Sequence, residues 1–544
     1  MALLSLLVPE GGERIDRNAL SAEAVHDLGL SELARGMSHQ GISESAMLRL
    51  LCELPQTPQE IRYRQETVRC LWDDPQLCDE MDELVRTMQE LTVFSHSGRE
   101  TERPLLEAVW RLGELELYVE LVRRMIDVLE RLGRRSAGLE RLLAELRGRR
   151  EDPAFEELHR ELPRLRSGIK LHQSVTIGVN LDDRLRPVQA ALLAVNDKRF
   201  RQSHFLGGFF GKAMGDPYLT RTTLARTPGP DPGLGESVER LPLAPLFEEI
   251  DTVLKSMLRP LVRKLREYVG VNTDIFRRLF PEIAGFVGAV RYLRKLADAG
   301  YPVSFPSIVE PQTRVTCYAG LYNARLASHW LSRSGVGRMV GNDVALDEAA
   351  RLFVLTGPNG GGKTTFTQAI GIATVFGQAG LPVPAESAEI APVDAIYTHF
   401  PTEEEFDDEL GRFEDEAQRI STLFDRVTPH SLVLMNEPLS STAPREAERI
   451  AESVLCGLSM AGVRGVVTTH LHELARGADR INAEPAARSR VGTLNAGVRV
   501  CGGRAIRTYE ITSGPPSGSS FADDVARRYR IDADSIGRRI RDTT

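Results

Sequence analysis

Two short stretches hold the residues whose types and spacing could do chemistry. In "LTGPNGGGKTTFTQ", Gly357, Pro358, Asn359, Gly360, Gly361, Gly362, Lys363 and Thr364 fill every place of the G-x-x-x-x-G-K-[ST] pattern. Glycines let backbone N–H groups converge on phosphate oxygens without interference from Cβ atoms. A helix starting at the end of the loop adds its N-terminal dipole. Lys363 is then expected to reach the β and γ phosphates of ATP, and Thr364 to hold Mg²⁺. The second stretch, "SLVLMNEPLSST", is an apolar run ending in Asn436 and Glu437. Glu437 is placed to orient or deprotonate an attacking water. Asn436 stands where such sites usually carry the aspartate linked to magnesium. Its amide oxygen can still face a metal-bound water, but one negative charge beside the metal is lost, so weaker metal affinity or slower turnover is expected.

A third stretch, "VVTTHLHELA", puts His470 just after an apolar run, where a side chain can meet the γ-phosphate. His472 reads as a cap or a solvent-facing residue. These three stretches need strands to carry them. "RLFVLT", "SLVLM" and "VRGVVTT" read as short buried strands, separated by helical segments as in a covered, mainly parallel sheet. "RVGTLNAGVRV" and "RAIRTYEI" read as a hairpin.

Upstream the chain reads as helix. Residues 1–100 form short helices broken by turns, one of them starting at Thr57 as N-cap with Pro58 in its first turn. Over residues 104–132, apolar residues from Leu105 to Leu132 repeat at threes and fours, a stripe about 43 Å long at 1.5 Å per residue. Such a helix needs a partner, and residues 137–165 offer one, as an ordinary bundle or as a long lever. Residues 203–240 are rich in Gly and Pro and read as a loop or irregular insertion. Lys255, Arg259, Arg263 and Arg266 share a broad helical face that could line a phosphate backbone or simply face solvent. The expected fold class is therefore a multidomain chain, mostly α-helical in a core and lever region, followed by an α/β P-loop NTPase domain. The expected division is 1–100 and 241–345 as helical core, 101–240 as lever-like helices with an insertion, 346–530 as the ATPase domain and 531–544 as a short tail.

Bulk properties bound the rest. The chain has 544 residues, 42% hydrophobic and 26% charged, as expected of a folded protein of several domains. A net charge of -8 supplies no global pull toward nucleic acid, though a local basic surface can. Six scattered cysteines show neither zinc spacing nor a disulfide framework, which fits a reducing compartment. No apolar run is long enough to span a membrane and no leader pattern opens the chain, so a cytoplasmic location is expected.

Taken in order, "TGPNGGGKTTFTQAIG", "AEIAPVDAIYTHF", "HSLVLMNEPLSST" and "VVTTHLHELA" resemble the ATPase domain of the MutS DNA mismatch-repair family. "GRMVGNDVAL", with Asn342 and Asp343, is similar to the segment ahead of that family's phosphate loop. "RYRQETVRCL" is similar to the opening helix of its core domain, and "SGSSFADDVARRY" to a stretch near the end of its ATPase domain. The resemblance implies a homodimer whose ATPase sites face each other, DNA as partner, and a repair protein as a further partner. It implies that Asn359, Gly362, Lys363, Thr364 and Thr365 bind ATP and magnesium, that Glu437 and His470 are catalytic, and that Met339 and Val340 pack near the adenine.

Three departures accompany it. The chain opens close to the family's core domain, so a mismatch-reading wedge is not expected, and DNA binding should be indifferent to mismatches. Asn436 replaces an aspartate. "GRFEDEAQR" keeps Phe413 and Glu416 of a family segment but has Gly411 and Arg412 in place of Ser and Thr, which removes a hydroxyl implied to act across the dimer. The acids at 403–409 read as a solvated loop. The leading expectation is an ATP-driven clamp on DNA in repair or recombination. The alternatives are a nucleotide-switched scaffold for a protein partner, and a transporter-type or chromosome-maintenance ATPase, which the absence of a Leu-Ser-Gly-Gly signature disfavours.

Overall fold

A computed structural model of the chain describes residues 4–11, 20–38, 44–97, 104–170, 174–181, 187–196, 273–333, 339–401, 412–440, 443–501 and 504–515, with isolated positions 183, 264, 265, 268, 529, 535, 536, 539 and 540. The Gly/Pro-rich stretch 203–240, the basic positions Lys255, Arg259, Arg263 and Arg266, the acidic run 403–409, Gly411 and the "SGSSF" segment lie outside the described residues. Two compact units share the chain. The first comprises Met1–Gln89, Arg124–Arg147 and Asp274–Thr544, and the second Glu90–Arg123 and Gly148–Thr273. Among the described residues no helix is long and apolar enough to cross a membrane.

The fold is the expected one in class: a largely helical N-terminal region followed by a mixed α/β domain. Short helices at Ala22–Asp27, Leu30–Met37 and Glu44–Cys52 precede longer ones at Pro58–Asp73 and Pro75–Ser97. Thr57 caps the fourth, its Oγ1 accepting from Glu60 N at 3.3 Å with Pro58 in the first turn. The long apolar stripe is a helix over Pro104–Arg131, in which Leu112, Leu115, Val119, Val122, Ile126 and Leu129 are buried. The stretch expected to partner it is two helices, Ala137–Arg150 and Pro153–Lys170, because Asp152 and Pro153 start a new helix: Asp152 Oδ1 accepts from Ala154 N at 2.9 Å. Within the second unit, strands β1 (Ser174–Leu181) and β2 (Pro187–Asn196) form an antiparallel hairpin that the sequence reading did not identify.

The α/β part has two sheets. Strands β3 (Ser307–Ile308), β4 (Thr316–Leu321), β5 (Asn342–Leu346) and β7 (Ser387–Ile390) form one, in the order β3-β7-β4-β5. Three of these strands precede the position, about 346, at which the sequence pattern changes to α/β. They are short or interrupted; β3 and β4 take their register from β7 far downstream, and β5 from β4. The other sheet contains β6 (Leu352–Thr356), β8 (Ile396–His399), β9 (Leu432–Asn436), β10 (Arg464–Thr468), β11 (Val491–Cys501) and β12 (Arg504–Ser513), in the order β12-β11-β6-β10-β9-β8. All neighbours are parallel except β11 and β12, the expected hairpin. Strands β6, β9 and β10 are buried along their whole length, which is why they read as unbroken apolar runs rather than alternating ones.

Helix Lys363–Gln378 is buried from both sides. A Cβ at Gly371 would come within 2.5 Å of Leu28 on one side and 2.9 Å of Leu434 on the other. Gln368 Nε2 donates to Asp27 O at 2.7 Å, and Gln378 Nε2 donates to Pro55 O at 2.9 Å. The helix that follows the phosphate loop is thus fastened directly to the N-terminal helices. The two sheets are joined by Arg464, which is fully buried at the start of β10. Its guanidinium donates to Val315 O, Thr316 Oγ1 and Ala391 O through Nη1, and to Pro392 O and His430 O through Nη2, at 2.8 to 3.3 Å. Burial pulls its pKa down to about 10, and carbonyl acceptors rather than a carboxylate hold the charge.

The next residue, Gly465, faces β9 with no room for a side chain: a Cβ there would lie 2.1 Å from Val433 O. Gly465→Ala is therefore expected to destabilise the protein by about 2 to 3 kcal/mol or more, because the strands must separate to admit the methyl group. Denaturant unfolding followed by circular dichroism checks this; an unchanged midpoint would contradict the packing at this crossing.

Candidate active site

The phosphate loop leaves the buried end of β6 through backbone that favours glycine. Gly357 has φ 135°, and a Cβ there would sit 2.7 Å from Ala496 Cβ. Gly362, at φ 92°, is the N-cap of helix Lys363–Gln378, and no side chain caps that helix. The first-turn N–H groups of a helix lack intrahelical acceptors, so this end of the helix presents donors toward the loop. Pro358 and Gly362 are half-buried, Gly361 is buried, and Asn359, Gly360 and Thr364 are exposed. Thr365 is half-buried, and its carbonyl accepts from Asn323 Nδ2 at 3.0 Å.

Lys363 folds back into the loop. Its Nζ donates to Gly357 O at 2.9 Å and Pro358 O at 3.3 Å, and lies 3.6 Å from Glu437 Oε1. Burial pushes its pKa below the ordinary lysine value, while the Glu437 carboxylate opposes that shift. Asn436, at the end of β9, accepts two hydroxyl hydrogen bonds on one oxygen. Thr364 Oγ1 donates to Asn436 Oδ1 at 2.9 Å, and Thr468 Oγ1 donates to the same atom at 2.7 Å. The amide thus holds the hydroxyl of Thr364 at the mouth of the loop, a task that requires an acceptor but not a charge. Glu437 follows with φ 49°, its N–H donating to Thr468 O at 2.9 Å. Sequence-distant Lys363, Thr364, Asn436, Glu437 and Thr468 therefore meet at one place.

The two histidines that follow β10 differ in exposure. His470 is exposed at the end of β10, and among the described residues no hydrogen bond joins its ring to the phosphate loop. His472 is half-buried with Nδ1 buried and without a hydrogen-bond partner. Its pKa is held down by burial first, then by the charges of Arg476, His470 and Lys363.

Met339 and Val340 are half-buried beside β5. Asn342 connects them to β12: its Nδ2 donates to Val340 O at 3.4 Å and Tyr509 O at 3.1 Å, and its Oδ1 accepts from Ile511 N at 2.6 Å. Asp343 turns the other way, its Oδ1 accepting from Gly320 N at 2.8 Å. The pairing of β11 with β12 slips between Ala496 and Val498. In that irregular stretch Tyr509 adopts φ 61°. A Cβ at Gly362 would lie 3.4 Å from the Tyr509 ring, and one at Gly360 would lie 2.8 Å from the Arg507 guanidinium. Tyr509 and Arg507 thus line the phosphate loop, and the sequence reading missed both. Only the strand register brings them there; the sole local signal was an aromatic and a cation two residues apart in an edge strand.

This donor set fits a magnesium nucleotide. The glycines keep a cradle open that Cβ atoms would fill, a buried ammonium lies inside it, and the Thr364 hydroxyl stands at its edge. Magnesium, when bound, neutralises phosphate charge.

Residues 353–530 match the family described as MutS domain V. A MutS-superfamily ATPase module is present in this chain. Residues 56–299 match the MutS2 N-terminal domain. Relatives named Endonuclease MutS2 include that of Thermus thermophilus, 31% identical over 54% of this chain and 38% of its own length. That of Gemmatimonas aurantiaca is 27% identical over 61% of this chain and 37% of its own length. That of Thermomicrobium roseum is 34% identical over 36% of this chain and 24% of its own length. The chain spans well under half the length of these curated relatives.

These matches correct the resemblance to the mismatch-repair family: the similarity is to MutS2 proteins. The ATPase motifs do not separate the two, since both must cradle the same triphosphate. The distinction lies in the helical region before them, where apolar spacing shows a helix but not whose helix it is.

Two substitutions probe the site. Lys363→Ala is expected to weaken binding of a fluorescent ATP analogue strongly while the circular dichroism spectrum is unchanged; undiminished affinity would contradict the cradle. Asn436→Asp is expected to lower the Mg²⁺ concentration giving half-maximal single-turnover hydrolysis, because a carboxylate in the same place adds a charge beside the metal. An unaltered metal requirement would contradict that electrostatic cost.

Proposed function

We propose that this chain is an ATPase whose nucleotide cycle alters how a homodimer, with its two ATP sites facing each other, holds DNA. The observation that carries the catalytic part is the convergence of Lys363 and Glu437, 3.6 Å apart, with Thr364 held by Asn436. Lys363 and the glycine-rich backbone bind phosphate. Thr364, its hydroxyl held by Asn436, would hold the magnesium ion, which would neutralise phosphate charge. Glu437, partly exposed beside Lys363, accepts a proton from the attacking water. The exposed Tyr509 ring offers a flat surface for a base next to the loop.

DNA as partner is supported by the presence of the MutS-superfamily module and by the relatives' names. With a net charge of -8, such binding must come from local basic faces and fall steeply with salt. The relatives are named endonucleases, but the matched region is only 24% to 38% of the three cited, so strand cleavage is not part of this reading. The neutral Asn436 favours a second reading, a nucleotide-switched scaffold that hydrolyses little and binds a protein partner.

Single-turnover hydrolysis with and without duplex DNA separates the two. The ATPase reading expects DNA to change the rate, and Glu437→Gln to lower it by about 10² to 10⁴ while ATP still binds. Equal, slow hydrolysis by wild type and Glu437→Gln, both binding ATP, would favour the scaffold.

A further inference from the structure

The turn that carries Glu437 is held in backbone that its residues do not favour. Glu437 has φ 49° and Leu439 has φ 63°, both in the left-handed region, and neither is glycine. Pro438 stands between them, and a proline further restricts the residue before it. Such a turn persists only where its surroundings hold it. On the near side the hold is visible: Glu437 N donates to Thr468 O at 2.9 Å and is 3.3 Å from Thr468 Oγ1.

On the far side the hold comes from another element. Leu439 N donates to Glu416 Oε1 at 2.5 Å. The same oxygen accepts from His399 Nε2 at 3.0 Å. Glu416 sits on helix Arg412–Phe424, and His399 ends β8, where it pairs in register with Met435 of β9. Glu416, His399 and Leu439 are 8%, 5% and 1% exposed, so water is largely excluded from this junction. A carboxylate needed only to attach the helix to the sheet would require the His399 contact alone. The bond to Leu439 N reaches past it, two residues from the carboxylate that faces Lys363.

We propose that Glu416, oriented by His399, is a positioning residue: by holding the N–H of Leu439 it fixes the turn that aims Glu437 at the phosphate cradle. Among the described residues no hydrogen bond or ion pair joins it to the phosphate loop or to Lys363. Its loss should therefore slow hydrolysis without weakening nucleotide binding, because the cradle is built from β6 and helix Lys363–Gln378. Without Glu416, the buried Leu439 N–H has lost its acceptor and the strained turn can relax. This rests on the reading of Glu437 as the hydrolytic base.

The test uses the full chain, with single-turnover hydrolysis at saturating ATP and Mg²⁺ and affinity for a fluorescent ATP analogue measured in parallel. Glu416→Ala is expected to slow hydrolysis by about tenfold to a hundredfold, since small misplacements of a reacting group have effects of that size. Its nucleotide affinity should stay within about threefold of wild type, the split expected when only rate-specific interactions are lost. Glu416→Gln, whose amide oxygen can still accept from Leu439 N, should recover most of the rate. His399→Asn, which leaves the carboxylate in place but less directed, should show the same split with a smaller drop, and it serves as the test where Glu416→Ala does not fold. An unchanged rate in Glu416→Ala or His399→Asn overturns the proposal, as does a parallel loss of rate and affinity, or Glu416→Gln falling as far as Glu416→Ala. Glu437→Gln separates the two levels. If it hydrolyses as fast as wild type, the base assignment fails and this proposal with it; if it is inactive while Glu416→Ala is fully active, the proposal alone fails.

Discussion

A single oxygen, Oδ1 of Asn436, ties together the three elements on which the site depends. It takes hydroxyl hydrogen bonds from Thr364 on the helix after the phosphate loop and from Thr468 at the end of β10, while itself terminating β9. Three elements distant in sequence are thereby held in register at the place where the loop opens. Thr468 serves twice, since its carbonyl also accepts from Glu437 N and so starts the turn that presents the carboxylate. An amide oxygen is sufficient for this geometry. What it does not supply is charge, and among the described residues the carboxylate paired with the buried Lys363 ammonium is Glu437.

The surrounding framework explains why such a junction can be rigid. Arg464, buried and surrounded by carbonyl acceptors, connects the six-stranded sheet to the four-stranded one. Gly465 beside it lets β9 and β10 approach more closely than a side chain would permit. Helix Lys363–Gln378 is packed between Leu434 of the sheet and Leu28 of the N-terminal helices, with Gln368 and Gln378 bonded to N-terminal carbonyls. Any displacement of that helix would have to be shared by the N-terminal helices, because a close-packed interior does not deform continuously. That is the physical basis on which a nucleotide site can be coupled to a helical region.

The likeness to MutS2 proteins, rather than to the mismatch-repair family, bears on what such coupling serves. The ATPase module is common ground. The region that carries the likeness to MutS2, residues 56–299, includes the hairpin of β1 and β2 and a long helix. Nothing in the phosphate loop chemistry distinguishes one partner from another.

The sequence by itself determined the parts whose physics is local. The loop 357–364 could be read because phosphate binding demands small residues, a lysine and a hydroxyl at fixed spacing. Strands β6, β9 and β10 could be read because burial on both faces leaves an unbroken apolar run, and helix Pro104–Arg131 because its stripe repeats at threes and fours. The departure at Asn436 was equally visible. Tertiary structure alone decided the rest. The register slip between β11 and β12 brings Tyr509 and Arg507 to the loop. The path after β10 buries part of His472 while leaving His470 exposed. Helix Arg412–Phe424 sends Glu416 to His399 and Leu439, residues 17 and 23 positions away in the chain. Each of these depends on which strand lies beside which, and a one-residue change in register redirects every side chain that follows. Spacing along the chain carries no record of that choice.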